Sequence, residues 1–268
     1  MRGRVLIVAG SDSGGGAGIQ ADIKTVTALG GYASTALTAL TAQNTTGVQA
    51  IHEVPTDFIA QQMGSVLGDI GADAVKIGML HRSDVITTVA RVLAEKAPQV
   101  PLVLDPVMVA KGGAALLEDA ATQALVSELL PRATLLTPNA PEAAAITGRP
   151  VDTTEDARAA GAALLGMGPK AVLMKGGHLA GETLTDLLLT EDGEPIALES
   201  RRIDSRHTHG TGCTLASACA VGLAQGMDLE AAVRRAHAYV AEAIRTAPGY
   251  GTGHGPLNHG HTVRDFEG

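Results

Sequence analysis

Short apolar runs that stop at glycine or at a polar residue, each followed by a segment of helical period, recur along this chain and constrain its fold more than any other feature. Arg4-Val-Leu-Ile-Val-Ala-Gly10 is the first, and Ala74-Val-Lys-Ile-Gly78, Leu102-Val-Leu-Asp105-Pro106, Thr134-Leu-Leu-Thr-Pro138 and Ala171-Val-Leu-Met-Lys175-Gly-Gly177 repeat it. A strand that is apolar at successive positions is buried on both faces, as strands of a parallel sheet are. Between these runs, Ile19, Ile23, Val26 and Leu29 recur at helical spacing, as do Ile59, Met63, Val66, Leu67 and Ile70, then Ile86, Val89 and Leu93, then Leu125 and Leu129. Thr56 and Ser83 are expected to cap two of the helices, Asn139 with Glu142 opens a third as a capping box, and Thr153 with Asp156 opens another. Asp228 is the expected cap of the last helix, which carries Leu229, Val233, Ala236, Val240 and Ile244.

The alternation predicts an α/β fold with a mostly parallel central sheet and helices on both faces. Residues 33–43 give a further β segment leading into the turn Asn44-Thr-Thr-Gly47. Glu191-Asp-Gly193 joins residues 184–190 to 196–203 as a hairpin, which adds a small antiparallel edge. With no internal repeat and no linker, residues 1–268 read as a single domain. The tail from Gly249, rich in Gly and His and without periodicity, is expected to be a surface segment.

Composition narrows the function. A net charge of −8 and 2% aromatic residues argue against nucleic acid as the main partner, since neither a basic run nor stacking rings are at hand. Every apolar run is cut by Gly or by charge well short of a membrane span. The start of the chain lacks the long apolar region of a signal peptide, so a cytoplasmic protein is expected. Cys213 and Cys219, six apart, make neither a metal motif nor an obvious disulfide.

In a doubly wound sheet, ligands bind beyond the C-terminal ends of the strands, so the residues just after each strand carry the functional reading. His207-Thr-His-Gly-Thr-Gly-Cys-Thr214 runs into a helix of small apolar residues. Such a turn leaves the first helical N–H groups pointing outward, and the helix dipole adds partial positive charge, so an anion is favoured there. A tight entry turn into a close-packed helix would look the same. Cys213, beside the second glycine, is placed where a helix N-terminus lowers a thiol pKa, although a buried hydrophobic role fits it as well. Gly16-Ala-Gly18-Ile-Gln-Ala21 is a weak match to the dinucleotide fingerprint, because no acid follows at the ribose-binding distance, and no Gly-Lys-Ser/Thr loop occurs anywhere. Glu142 serves a capping box or, with Asp105 at a neighbouring strand end, a magnesium ion. Lys175 before two glycines could neutralise phosphate. An anion hole, a lysine, two acids and a polar amide are the parts of phosphoryl transfer from Mg-ATP to a small acceptor.

The segments Ala9 to Lys24, Thr38 to Val48, Asp105 to Lys111, Leu136 to Glu142 and Thr208 to Thr214 together resemble the hydroxymethylpyrimidine/phosphomethylpyrimidine kinases of thiamin biosynthesis, in order and over nearly the whole chain. The resemblance implies a ribokinase-like fold, a homodimer and two successive Mg-ATP-dependent phosphorylations at one site, the first on the hydroxymethyl group of 4-amino-5-hydroxymethyl-2-methylpyrimidine. A vitamin B6 kinase of the same fold is the alternative. The resemblance also implies roles. Gln43 would read the aminopyrimidine, helped by Asp22, Met79 and Val107. Gly210, Gly212 and Cys213 would form the anion hole, with Cys213 as the base. Lys175, Thr208, Thr211 and Gly212 would face ATP, and Asp105 and Glu142 would organise Mg²⁺.

Overall fold

The computed structural model describes residues 1–108, 119–179 and 181–264, so Val109, Ala110 and Lys111 of the resemblance lie outside the described residues. One nine-stranded sheet runs through the chain. Its central strands are β1 (Arg4–Asp12), β4 (Ala74–Ile77), β5 (Leu102–Leu104), β6 (Leu135–Leu136) and β7 (Ala171–Met174), with β2 (Tyr32–Asn44) beside β1. All pairings among these six are parallel. The predicted hairpin is present as β8 (Thr183–Thr190) and β9 (Ile196–Arg201), antiparallel after β7. A strand absent from the sequence reading, β3 (Gly47–Glu53), pairs antiparallel with β2, so both flanks of the sheet are antiparallel. The pattern of β3 is short and half-exposed, with Gln49 and His52 inside it, and carries little apolar signal.

Alternation of side chains sorts the core into two layers. Leu6 and Val8 of β1 face one layer, with Val75, Ile77, Leu102 and Leu104 beside them. Val5, Ile7 and Ala9 face the other, with Val103 and Leu173. The first layer is covered by α2 (Thr56–Asp69), α3 (Ser83–Lys96), α4 (Asp119–Ala124), α5 (Ala140–Thr147) and α6 (Thr154–Leu165), and the second by α1 (Gly18–Ala28), α7 (Thr211–Ala224) and α8 (Leu229–Arg245). α7 is buried nearly all round between the sheet and α1 and α8, which is why its residues are small and apolar at every face.

The capping box at Asn139, the helix start at Thr153 and the cap at Asp228 form as the sequence indicates, and Thr153 with Asp156 closes a second capping box. Thr56 and Ser83 do not cap. Each is the first helical residue, preceded by Pro55 and Arg82, and neither helix start has a side-chain cap. β1 runs past Gly10 to Asp12 through a register shift between Ala9 and Ser11, carrying a carboxylate into the crevice. Sheet order reverses at β1, which lies between β2 and β4, and the cavity opens at that switch point.

The tail is not a loose surface segment. The His209 N–H donates to the Gly255 carbonyl, His254 N–H to Thr45 and Asn258 N–H to Ala243, while Leu257 and His259 are buried. Backbone bonds and two buried anchors fix a segment that has no helical or strand period to announce it. Burial pushes His259 down to about 4, so it stays neutral while its Nε2 meets the Thr214 hydroxyl at 3.0 Å on α7.

Candidate active site

A cavity of about 1130 Å³ opens along the C-terminal ends of β1, β4, β5 and β7. Of the residues expected to act, Gln43, Met79, Val107, Asp105, Glu142, Lys175, Thr208, Gly210, Thr211, Gly212 and Cys213 all line it.

The anion turn is built from two touching loops. Gly210 caps α7 in the left-handed conformation, φ 83°, and a Cβ there would lie 1.8 Å from the Gly16 carbonyl oxygen. Only glycine permits both the angle and the approach. The Thr211 hydroxyl donates to the Thr208 carbonyl at 2.7 Å and ties the turn back on itself. The Thr214 N–H is the first to bond within the helix, to the Gly210 carbonyl, so the Gly212 and Cys213 N–H groups begin α7 with the positive end of its dipole behind them.

The first glycine loop is committed elsewhere. Asp12 accepts the N–H groups of Gly14, Gly16 and Ala17 at 2.8, 3.1 and 2.8 Å, so a carboxylate from the chain itself sits where a dinucleotide pyrophosphate would. The dinucleotide reading falls with that geometry. Burial works to raise the Asp12 carboxyl, but His209 and the Ala17 and Gly14 N–H groups outweigh it and hold it below the usual range.

Asp12 also meets His209 Nε2 at 2.8 Å, and the same nitrogen lies 3.3 Å from the Gln43 amide. An ionised carboxylate only accepts, so His209 Nε2 carries the proton. The Gln43 atom beside it is then best assigned as oxygen, and the amide NH₂ faces Thr41 Oγ1, 3.0 Å away. That orientation frees the single Thr41 hydroxyl proton for the Ser11 carbonyl at 2.9 Å. A hydrogen-bonded chain therefore fixes the amide at the cavity edge. Nearby, Met79 lies over Gly10, where a Cβ would come 2.4 Å from the Met79 methyl, and Val107 packs with Met79 and Ala39. Gln43, Met79 and Val107 together line this end of the cavity, a polar amide beside two apolar side chains.

Lys175, just past β7, is 2.9 Å from Asp105 and 3.6 Å from Glu142. Burial works against its charge, yet Asp105 and Glu142 hold its pKa above that of an ordinary lysine. The same burial pushes Glu142 up, which Lys175 only partly offsets. Glu142 does close its capping box, accepting the Asn139 N–H at 2.8 Å through Oε2. Capping and charge pairing therefore coexist in one side chain. A Cβ on Gly212 would lie 3.2 Å from Lys175 Nζ and 3.5 Å from Asp105 Oδ2, so the anion turn, the lysine and the acids meet at one point.

Two expectations need correction. Asp22 does not face the cavity. It is fully enclosed, with both oxygens on Lys76 Nζ at 3.0 and 2.9 Å and Oδ1 accepting from Ser217 at 2.7 Å. Nor does the helix start lower the Cys213 thiol: burial pushes it up to about 12, and Asp22 and Asp105 add to that against Lys76 and the Gly18 N–H. The sequence pattern does not mark Lys76, Asp12 or His209 as site residues. A lysine inside the buried run Ala74-Val-Lys-Ile was the one sequence signal for the first of them.

Known proteins share the sequence and the fold of this chain. The family model described as phosphomethylpyrimidine kinase matches residues 12–258. A hydroxymethylpyrimidine/phosphomethylpyrimidine kinase of Streptomyces coelicolor is 52% identical over 256 residues, covering 96% of this chain and 94% of the relative. The crystal structure of a phosphomethylpyrimidine kinase from Clostridium difficile superposes with a TM-score of 0.79 at 42% identity, covering 90% of this chain and 99% of that one. A pyridoxal kinase from Staphylococcus aureus, in complex with AMP-PCP and pyridoxal, gives 0.90 at 33% identity over 98% of this chain and 96% of its own.

Proposed function

The chain belongs to the phosphomethylpyrimidine kinase family, and from that premise we propose how its site divides the work of the reaction. The protein is an ATP phosphotransferase of thiamine biosynthesis. It converts 4-amino-5-hydroxymethyl-2-methylpyrimidine to its monophosphate and then to its diphosphate. The observation that carries the assignment to this cavity is the continuity of a ring slot at Gln43, Met79 and Val107 with an anion turn at Gly210–Cys213.

Gln43, oriented by His209 and Thr41, reads the ring nitrogen and exocyclic amine with a planar donor–acceptor edge. Gln43→Leu is expected to weaken use of the hydroxymethylpyrimidine by roughly 1–3 kcal/mol, through ring groups left unpaired. A pyridine substrate, lacking that amine, should lose less, and kcat/KM for the two substrates side by side makes the comparison. Equal losses would remove Gln43 as the reader.

Thr208, Thr211 and the Gly212 N–H border the ATP phosphates, and Lys175 faces their charge. Mg²⁺ fits the acids here. Asp105 Oδ1 is taken by Lys175 and Thr137, and Glu142 Oε2 by the Asn139 N–H, which leaves Asp105 Oδ2 and Glu142 Oε1 for a hard cation. Among the described residues no cluster of three or more His, Cys, Asp or Glu side chains could hold a metal unaided. Two carboxylates completed by water and phosphate oxygens is the way this ion binds. When bound, it supplies charge neutralisation for the transferring phosphoryl group. Gln preserves a capping box and Asp105 still pairs Lys175, so Glu142→Gln should lower the melting temperature only slightly while kcat falls and the required Mg²⁺ concentration rises. Unchanged Mg²⁺ dependence would leave Glu142 as a cap and a partner of Lys175.

The structure of the pyridoxal-bound relative favours one second reading, a vitamin B6 kinase activity at the same slot. ADP release with hydroxymethylpyrimidine, its monophosphate, pyridoxine and pyridoxal ranks the readings. Higher kcat/KM for the two pyrimidines is the expected result. We further take residues 1–268 as one catalytic domain that acts as a cytoplasmic homodimer, which equilibrium sedimentation checks.

A further inference from the structure

Lys76 stands in a four-residue strand that is buried at every position, and it is itself fully enclosed. Its neighbours Val75 and Ile77 join the apolar layer under α2 and α3, while Lys76 points the other way, toward α1 and α7. There it meets both oxygens of Asp22 from α1, and Ser217 of α7 donates to the same carboxylate. Gly78 follows the strand, and a Cβ there would lie 2.8 Å from Lys76 Nζ. Taking such a pair out of water costs several kcal/mol per ion, and apolar residues of similar volume would stabilise the sheet as well or better. Stability therefore gives no reason for the pair.

Its position gives one. Ser217 lies four residues after Cys213, so the two sit one above the other on the same face of α7. Lys76 and Cys213 both border the cavity, whereas Asp22 does not. The ion pair thus lies beneath the thiol, with its cationic end toward the site.

We propose that Lys76 is a positioning residue for the phosphoryl acceptor: held by Asp22 and Ser217 beneath the start of α7, its ammonium favours the thiolate of Cys213 and so equips the first phosphorylation. The inference rests on the function assigned above. In that step the hydroxymethyl proton passes to Cys213 Sγ as the alcohol oxygen bonds to the γ-phosphorus. The bond from that phosphorus to the bridging oxygen breaks, and ADP leaves with its electron pair. Lys76 keeps its proton throughout. Lys76 from β4 and Lys175 after β7 favour the sulfur anion, as does the Gly18 N–H at the start of α1. Asp22 and Asp105 oppose it. Lys76 exerts the largest of the charge effects on the thiol.

Lys76→Met removes the charge at similar volume but strands Asp22. Lys76→Met/Asp22→Asn removes both charges, keeps an acceptor for Ser217 and carries the test if the single variant does not fold. Iodoacetamide alkylation of the native protein at pH 8.5, with peptide mapping to separate Cys213 from buried Cys219, reads the thiolate directly. Each phosphorylation is assayed alone, from the alcohol and from the monophosphate. The expected result for Lys76→Met is alkylation of Cys213 slowed at least fivefold, first-step kcat/KM lowered at least tenfold and second-step kcat/KM within threefold of the parent; the double variant, which also loses the opposing Asp22 charge, changes in the same direction by less. Unchanged alkylation, or equal loss in both steps, overturns the proposal. Failure of the functional assignment would appear differently, as an unmutated protein that does not turn over the pyrimidine.

Discussion

With alanine in place of Cys213, the first phosphorylation slows by roughly 10²–10⁴-fold while the second keeps most of its rate. In the first step an alcohol attacks, and its proton must leave as the bond to phosphorus forms. In the second the attacking oxygen belongs to a phosphate that is already largely ionised at neutral pH, its second pKa being about 6. Burial pushes the thiol up to about 12, so only a small fraction is thiolate near neutrality. Losing the proton creates the base, so first-step kcat/KM rises as pH rises from neutral into the alkaline range. The second step should be flat once its phosphate is ionised. Alanine abolishes that rise along with the rate, and Cys213→Asp restores part of the first step. Equal losses in the two separately assayed steps would make Cys213 a wall of the anion turn and not its base.

Lys175→Met lowers both phosphorylations together, by roughly 10²–10³-fold, the usual cost of one preorganised group that stabilises developing charge. Lys175 lies between Asp105 and Glu142, and its pKa, raised by both, keeps it charged at every working pH. Methionine removes that charge and leaves two buried carboxylates facing each other. Glu142, already raised by burial, then takes up a proton. Because the phosphates of ATP are common to both reactions, the loss does not depend on which acceptor is used. The two variants therefore carry opposite signatures. Cys213→Ala separates the steps, and Lys175→Met does not. A Lys175→Met protein that loses only one step would contradict the phosphate role.

Both signatures depend on residues whose neighbourhood the sequence reveals unevenly. Strands buried on both faces print themselves as unbroken apolar runs, so β1, β5 and β7, and with them Asp105 and Lys175 at their ends, are placed by pattern alone. Helix starts with a reciprocal cap are legible for the same local reason at Asn139 and Thr153, whereas Thr56 and Ser83 offer the right residue type without the bond. The edge strand β3 and the C-terminal tail are held by long-range backbone bonds, to β2 and to Thr45 and His209, and no local period encodes such bonds. The electrostatics are the least legible part. A helix N-terminus lowers a thiol pKa in the open, but at Cys213 burial dominates, and the charged groups that act on it come from α1, β4 and the end of β5. Asp22 illustrates the same limit, because its partner Lys76 lies 54 residues away and turns an expected substrate contact into a buried support.

The whole account turns on one site phosphorylating two acceptors in succession. Purified protein is incubated with ATP, Mg²⁺ and 4-amino-5-hydroxymethyl-2-methylpyrimidine, and the pyrimidine species are followed by mass spectrometry over time. The monophosphate should rise and then fall as the diphosphate replaces it, with isolated monophosphate converted by the same preparation and both steps suppressed together in Lys175→Met. Accumulation of monophosphate with no diphosphate, or turnover of pyridoxal but neither pyrimidine, would contradict it.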